Sequence, residues 1–361
     1  MATHFHKLRI KDIRNETPEC VSIAFHIPEE LKKEFEFTQG QNITVKAIIN
    51  NEEIRRSYSI CSSPLQNELR IAVKKISGGK FSLYADSIKE NDALEILPPT
   101  GKFYTALNPV NKKNYIAFAA GSGITPVISL IKTTLATEPQ SSFTLIYGNK
   151  NRSSIIFKEE LEGIKNRYIN RFALHHILSR EQTDAAINHG RINKEKCDEL
   201  NEKLININEM DEFFICGPEQ MIFSVKDWLE KKEIDKKKIH FELFTVPGER
   251  SEIKNPKSDN QRRKIVDKIS NVTINQDGIA FSFELGYDDE SILNAALKQG
   301  ADLPFACKGG VCSTCRAKLI EGKVDMEQNY ALEPDELENG FILTCQSHPR
   351  SEKVIIDFDI K

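Results

Sequence analysis

Four cysteines near the end of the sequence constrain the chain most. Cys307, Cys312 and Cys315 have the spacing Cys-x4-Cys-x2-Cys, and Cys345 follows after twenty-nine residues, 316–344. Four thiolates, three from one short loop and one from a distant segment, match the ligand set of a [2Fe–2S] cluster. A glycine pair at 309–310 would let the loop backbone fold close to the sulfur atoms. The sequence therefore predicts an iron–sulfur centre held by these four residues.

Two other chemistries use cysteines at short spacing. A structural zinc site usually takes paired Cys-x2-Cys units, and this sequence contains a single such pair, Cys312 and Cys315. A disulfide framework is typical of short secreted chains, whereas this chain has 361 residues and eight cysteines. The cluster interpretation is therefore favoured, and it makes the chain an electron carrier.

The length and charge of the chain limit its organisation and its partners. A chain of 361 residues is expected to form two or three domains. A net charge of −3 predicts neither nucleic-acid nor membrane binding. No apolar run approaches the length of a membrane span, and residues 1–10 lack the apolar core of a signal peptide. Because Cys20, Cys61 and Cys197 are scattered like free thiols in a reducing compartment, we expect a cytoplasmic protein.

Residues 1–107 are predicted to form an antiparallel β-barrel. Short runs of β-forming residues are separated by turn residues, which is the pattern of a barrel. Within this segment, Arg56 offers a cationic fork for a pyrophosphate. Tyr58, on the same face of an extended strand, can lie against an isoalloxazine ring. Ser59, on the other face, can offer its hydroxyl to the flavin edge.

A second part of the same segment also suits a flavin dinucleotide. Gly78 and Gly79 would allow close backbone approach. Ser82 is predicted to begin a short helix that runs towards Ile88, and the N–H groups of its first turn would face a phosphate. The two parts together predict a site for FAD.

Residues 108–245 are predicted to form a parallel sheet with crossover helices, because strand and helix patterns alternate. In such a sheet the ligand binds beyond the carboxyl ends of the strands. Gly121, Gly123 and Thr125 follow the first strand, and Cys216 and Gly217 follow a later one. We expect Cys216 to lie beside the nicotinamide carbon and to shape the pocket rather than to act as a nucleophile.

The charge pattern predicts the type of nicotinamide cofactor. Ser179 and Arg180 follow a strand, and a hydroxyl with an arginine favours the 2′-phosphate of NADP over the free ribose of NAD. Arg152 could close the same site. The neighbouring acidic residue, Glu181, is expected to face solvent. The sequence therefore predicts NADPH as the co-substrate.

Residues 246–264 are predicted to be a linker, since Pro247–Lys264 is rich in Pro, Gly, Ser and charged residues. Residues 265–361 are predicted to form an α+β domain of β-grasp type around the cluster. In it, an Asp277-Gly278 turn joins a hairpin, and Ser291 is expected to cap a helix.

The motifs occur in the order R-x-Y-S, G-G-x-x-S, G-S-G-I-T-P, S-R-E, C-G-P and C-x4-C-x2-C…C. In this order the chain resembles the ferredoxin–NADP reductase superfamily with a fused C-terminal plant-type ferredoxin. The stretches 56–64, 72–75 and 97–103 look most like reductase subunits of phenylacetyl-CoA epoxidases. The resemblance implies flavin contacts at Arg56, Tyr58, Ser59, Gly79 and Ser82, and nicotinamide contacts at Gly121, Thr125, Ser179, Arg180 and Cys216. The further candidate cofactor-binding residues are Val73, Lys74, Gly78, Gly123, Arg152 and Gly217.

The resemblance also implies an electron path from NADPH through FAD and the [2Fe–2S] cluster to a separate di-iron oxygenase, with Ser59 and Cys216 beside the reacting rings. None of the eight histidines lies three residues after a glutamate, so the di-iron Glu-x-x-His motif is absent and a second protein must accept the electrons. Other acceptors stay open: another hydroxylase, a ring-hydroxylating dioxygenase or a fatty-acid desaturase. Two other classes also stay open, a phthalate-type reductase that uses FMN and NADH, and a redox-sensing iron–sulfur protein.

Overall fold

The computed structural model describes residues 4–244 and 268–360. The chain divides into two compact units, of which one comprises Phe5–Leu243 and the other includes residues 268–360. The predicted linker, 246–264, lies outside the described residues, and the predicted domain boundaries remain predictions. Among the described residues, no helix has both the length and the apolar character that a membrane crossing requires.

Six antiparallel strands form the first sheet, in the order β4-β3-β6-β1-β2-β5. An isolated bridge between Ile60 and Ile71 joins its two edge strands and closes the barrel. Apolar side chains such as Leu8, Ile23 and Val45 alternate along the strands and fill the interior. The elements are β1 (His6–Thr17), β2 (Cys20–His26), β3 (Asn42–Ile49), β4 (Glu52–Ser59), β5 (Leu69–Lys74), α1 (Lys80–Tyr84) and β6 (Ala93–Ile96).

The second sheet is fully parallel, as expected, with the strand order β11-β10-β7-β8-β9. Its central strands β7 and β10 are nearly continuous runs of buried residues, because helices cover both faces of such a sheet. The elements are β7 (Asn114–Ala120), α2 (Ile124–Thr137), β8 (Ser142–Asn149), α3 (Lys158–Arg167), β9 (Phe172–Leu178), α4 (Lys194–Lys203), β10 (Glu212–Cys216), α5 (Glu219–Lys231) and β11 (Ile239–Glu242).

Helix α2 fastens the parallel sheet to the barrel. Ser129 donates a 2.6 Å hydrogen bond to the Ser62 carbonyl, and Lys132 donates a 3.0 Å bond to the Cys61 carbonyl. Cys20 and Cys61 of the barrel are buried in the same apolar cluster as the residues of α2. The two sheets therefore share a core, which explains why Phe5–Leu243 is a single compact unit.

The C-terminal unit is a mixed five-stranded sheet, in the order β13-β12-β18-β14-β16, with β12 and β18 parallel. Ile292, Leu293 and Ala296 of its first helix are buried against the sheet, which confirms the predicted α+β architecture. The elements are β12 (Ile269–Gln276), β13 (Ile279–Gly286), α6 (Ile292–Lys298), β14 (Arg316–Glu321), β15 (Val324–Met326), α7 (Pro334–Glu338), β16 (Phe341–Leu343), β17 (Ser347–Pro349) and β18 (Lys353–Asp357).

Two local predictions differ from the structure. Helix α1 begins at Lys80 and ends at Tyr84, short of Ile88, because Ser87 N–H bonds back to the Tyr84 carbonyl in a turn. Ser291 occupies the residue before α6, but its side chain makes no capping hydrogen bond.

Candidate functional site

The four predicted cluster cysteines lie in two neighbouring pairs. Hydrogen bonds link Cys307 with Cys312, and Cys315 with Cys345. Within each pair, the shared hydrogen bond lowers the pKa of one thiol, Cys307 or Cys345, and raises the pKa of its partner, Cys312 or Cys315. In residues 4–244 and 268–360, no group of three or more His, Cys, Asp or Glu side chains surrounds one metal position. Two pairs of thiols suit a [2Fe–2S] cluster, in which four cysteines serve two irons.

The cluster loop turns tightly and directs N–H groups at the sulfurs. Gly309 N–H donates to Cys307 Sγ at 3.3 Å, and Gly310 N–H bonds to Cys345. Gly310 has φ +74°, and a Cβ there would lie 2.9 Å from the Gln328 carbonyl oxygen, so only glycine fits. Lys308 also has a positive φ, 52°. The loop is therefore shaped around the sulfurs, as the glycine pair predicted.

Strand β4 carries the predicted flavin residues to the rim of the barrel. Arg56 is exposed and donates a 2.7 Å bond to the Arg55 carbonyl. The Tyr58 ring lies 5.4 Å from the Phe81 ring of α1, and burial raises the pKa of the Tyr58 hydroxyl. Ser59 is buried and points away from them, towards the second sheet. The alternation of the strand therefore separates Ser59 from Tyr58, as predicted.

The glycine pair after β5 forms a tight loop closed by Ser82. Gly78 has φ +75°, a conformation that side chains rarely adopt. Ser82 Oγ accepts a 3.2 Å hydrogen bond from Ile76 N–H. A Cβ on Gly79 would overlap this oxygen. Val73, on the adjoining strand, is buried in the barrel core. Lys74 follows it and brings its Nζ to 3.6 Å from the position of a Cβ on Gly121.

The glycine loop after β7 packs directly on the loop after β10. A Cβ on Gly123 would overlap the Cys216 carbonyl, and one on Gly217 would lie 3.1 Å from the Ala120 backbone nitrogen at the end of β7. Thr125 is buried and donates a 3.0 Å bond to the Ser122 carbonyl. The structure thus explains the glycines at 123 and 217 by the contact between these two loops. Both loops lie at the carboxyl edge of the sheet.

Ser59, Cys216 and Glu242 converge at this edge. Cys216 and Glu242 end neighbouring parallel strands and face each other in register. Ser59 Oγ donates a 2.7 Å hydrogen bond to Glu242 Oε2, which places the barrel serine at the carboxyl edge of the parallel sheet. Burial raises the pKa of the Cys216 thiol well above its usual range. The protonated thiol is a poor nucleophile, which agrees with a role in shaping the pocket.

Sequence reasoning missed Glu242 and its second partner, Asn42. Burial raises the pKa of Glu242 to about 7, and hydrogen bonds from Ser59 and Asn42 oppose that rise. Asn42 is itself held by a 2.7 Å bond from Ser57. The sequence feature that could have revealed Glu242 is a carboxylate at the end of a strand predicted to lie beside Cys216. Ligands of parallel sheets bind at this position.

The predicted nicotinamide-selecting residues lie on two loops that pair along their backbones. Ser179 N–H donates to the Asn149 carbonyl at 2.9 Å, and Arg180 N–H donates to the Lys150 carbonyl at 2.8 Å. Arg180 is therefore held beside Lys150, an exposed cation that sequence reasoning did not include.

Glu181 keeps 29% of its side-chain surface exposed, so it is partly solvent-facing, but it has a partner that the sequence did not indicate. Its carboxylate accepts a 2.7 Å bond from Arg152 N–H and pairs with the Arg152 guanidinium at 3.3 Å. Arg152 is thus partly neutralised, because the strand-end loops bring the two side chains together.

Comparison with known proteins agrees with this division of sites. Residues 7–104 match the oxidoreductase FAD-binding domain, residues 118–227 the oxidoreductase NAD-binding domain, and residues 274–350 the 2Fe-2S iron–sulfur cluster binding domain. The chain is 46% identical to a component of the 1,2-phenylacetyl-CoA epoxidase of Escherichia coli (strain K12), over 99% of each chain. The chain belongs to the ferredoxin–NADP reductase superfamily, among its oxygenase reductases with a fused ferredoxin domain. It is therefore an oxidoreductase with FAD, NAD(P)H and a [2Fe–2S] cluster as its cofactors.

Two further similarities place this oxygenase reductase among its relatives. It is 30% identical to the ferredoxin reductase component of 3-ketosteroid-9-alpha-monooxygenase from Rhodococcus rhodochrous, over 97% of this chain and 96% of the other. Phthalate dioxygenase reductase is 24% identical to this chain. Its structure is a modular one for electron transfer from pyridine nucleotides to [2Fe–2S]. It superposes with a TM-score of 0.56 over 98% of both chains, which shows a shared fold.

Proposed function

We propose that this oxygenase reductase takes electrons from NADPH and passes them through FAD and the [2Fe–2S] cluster to a separate di-iron oxygenase of the phenylacetyl-CoA epoxidase type. The 46% identity to the E. coli epoxidase component over 99% of each chain carries this proposal. Reductase components of 3-ketosteroid and glycine betaine monooxygenases match at 27–30%. We propose a cytoplasmic location, which is supported by four buried free thiols outside the cluster loop: Cys20, Cys61, Cys197 and Cys216.

The flavin site is proposed on the rim of the barrel. Arg56 is exposed and able to bind a pyrophosphate bidentately, while the packing of Tyr58 on Phe81 holds its ring in place for stacking. The loop with Gly78, Gly79 and Ser82 would receive a phosphate on its backbone N–H groups. Lys74 completes the wall, and its ammonium reaches the glycine loop of the second sheet. Val73 would contribute its backbone only, because its side chain is buried in the barrel core.

The hydride-transfer site is proposed where Ser59, Cys216 and Glu242 meet. The bound nicotinamide and flavin supply the hydride and electron chemistry there. The Ser59 hydroxyl is fixed by its 2.7 Å bond to Glu242, so it is oriented before any ligand arrives. Cys216 limits the space without reacting. Because the pKa of Glu242 is about 7, this carboxyl can hold or release a proton at Oε2 near neutral pH.

We propose that NADPH is preferred to NADH because cations cluster beside the predicted 2′-phosphate site. Backbone pairing holds Arg180 next to Lys150, and the Ser179 hydroxyl lies at the same turn. Arg152 has a carboxylate partner, so its part in phosphate binding is smaller. Gly121, Gly123, Thr125 and Gly217 form the loops that bring the nucleotide to this edge.

The cluster is proposed to bind with Cys307 and Cys312 on one iron and Cys315 and Cys345 on the other, as their pairing suggests. Cys307 is partly exposed, whereas the other three are buried. The electron acceptor would therefore dock on the face around Cys307 and Lys308. Contacts in such transient complexes are small and often electrostatic.

Coupled turnover tests the proposed acceptor. The purified reductase is mixed with a phenylacetyl-CoA epoxidase, a ring-hydroxylating dioxygenase and a fatty-acid desaturase in turn. NADPH consumption and product are then measured together. We expect stoichiometric product with the epoxidase alone. Uncoupled NADPH oxidation with the epoxidase, but coupled turnover with another oxygenase, would reject the pathway and keep the reductase. If no acceptor and no dye supports NADPH oxidation, the redox-sensor alternative would be favoured.

A further inference from the structure

One glutamine side chain joins the two segments that carry the cluster cysteines. Gln346 directly follows Cys345 and is only 7% exposed. Its Nε2 lies 3.0 Å from the Lys308 carbonyl oxygen and 3.0 Å from the Cys345 carbonyl oxygen. The same nitrogen lies 3.6 Å from Cys345 Sγ. Since Lys308 is in the loop that follows Cys307, this amide bridges the loop and the distant fourth ligand.

The surroundings decide which end of the amide faces the sulfur. All three neighbouring atoms are acceptors, so the N–H end of Gln346 must lie here and the carbonyl end must point away. The amide has two N–H hydrogens, so one of them is shared between two of the three acceptors. The backbone of Gln346 is fixed on both sides, by a 2.9 Å bond to the Leu343 carbonyl and a 2.9 Å bond from Glu327 N–H. The side chain packs on Gly310, where a Cβ would lie 3.3 Å from its Cγ. The amide therefore has little room to turn away from Cys345.

We propose that Gln346 raises the reduction potential of the [2Fe–2S] cluster by donating a hydrogen bond to Cys345 Sγ. Reduction adds negative charge that the ligand sulfurs share, and an N–H donor stabilises the more negative state. Loss of this donor would make the cluster harder to reduce. The relevance of this potential for the acceptor rests on the proposed function, but the potential itself can be measured without any acceptor.

Three variants separate hydrogen bonding from charge and from loop structure. Gln346→Met keeps the length of the side chain and removes the donor. Gln346→Glu keeps the shape, removes the donor and adds an anion. Gln299→Glu adds the same charge at an exposed glutamine of the same domain, at the end of α6. Each full-length protein, loaded with FAD and cluster, is titrated with a chemical reductant, and the cluster is followed by electron paramagnetic resonance alongside iron content.

We expect full iron content and a lower midpoint potential in Gln346→Met. A tenfold change in the equilibrium constant for reduction, or about 59 mV for one electron, is the expected size. Gln346→Glu should shift further in the same direction, and Gln299→Glu should shift much less. The proposal is overturned if Gln346→Met keeps the wild-type potential, if only the glutamate variant shifts, or if both Gln346 variants lose the cluster. A failure of the proposed acceptor would instead appear only in coupled turnover.

Discussion

Ser59 Oγ and Glu242 Oε2 are joined by a 2.7 Å hydrogen bond although the two residues are 183 positions apart in the sequence. Ser59 ends a strand of the barrel, and Glu242 ends the last strand of the parallel sheet. This bond connects the proposed flavin site with the proposed nicotinamide site. It also provides a partner for a partly buried carboxyl beside Cys216, and a carboxyl removed from water requires one.

The stability of the protein should fall with rising pH through the titration of Glu242. The folded pKa is about 7, above its ordinary value of 4.5, so the folded state holds more protons between these values. The stabilisation from the neutral carboxyl is complete below about pH 4.5 and is lost as pH rises through 7, on the order of 3 kcal/mol in total. Thermal melting of holoprotein from pH 5 to 8 should therefore show a smaller decline in Glu242→Gln than in wild type. Glu202→Gln, at an exposed position of α4, should match wild type.

Ser59 and Glu242 should act as a unit in flavin reduction. Ser59→Ala and Glu242→Gln each remove or weaken the same hydrogen bond, so the double variant should lose less than the sum of the two single losses. The coupling should be about 0.5–3 kcal/mol in activation free energy, measured by stopped-flow reduction with NADPH. Ser142→Ala, at the amino-terminal end of strand β8, provides the control. Its effect on the activation free energy should add to that of Glu242→Gln. Additive losses for Ser59 and Glu242 would contradict a shared role.

Arg180 should select NADPH over NADH. Loss of a charge-assisted hydrogen bond to phosphate costs about 1.5–3 kcal/mol, so Arg180→Ala should lower the NADPH/NADH ratio of kcat/KM roughly tenfold to a hundredfold. Arg152→Ala should have a smaller effect, because that guanidinium already pairs with Glu181. Arg167→Ala, at the end of α3, serves as the matched control. An unchanged ratio in Arg180→Ala would transfer the role to another cation, with Lys150 the first to test.

Cluster and flavin should be separable by one substitution. Cys312→Ser should abolish the [2Fe–2S] signal, because it removes one of the paired thiols. The Phe5–Leu243 unit has its own core, so FAD content and NADPH-dependent dye reduction should stay near wild-type values. Visible spectra and flavin extraction measure both. Cys197→Ser, in the other unit, should keep the cluster. Loss of flavin from Cys312→Ser would show that the two units depend on each other.

The sequence by itself determined the order of the three segments and their fold classes, and it predicted the four cluster ligands. These features depend on local spacing and periodicity: the Cys-x4-Cys-x2-Cys loop, the alternation around Arg56, Tyr58 and Ser59, and the continuous apolar runs that form the parallel sheet.

Only the tertiary structure decided which residues meet across the chain. In the sequence, Glu242 is one acidic residue among many. Its pKa is raised because the fold removes it from water beside its paired strand β10 and the barrel residue Ser59, which is distant in the sequence. Glu181 reads as solvent-facing, but the paired loops after β8 and β9 bring it to Arg152. In the sequence, Gln346 is simply the residue after Cys345. The fold of the cluster loop places its amide against Cys345 Sγ. Burial, pKa and hydrogen-bond direction depend on neighbours that sequence spacing does not specify, which is why they required the folded chain.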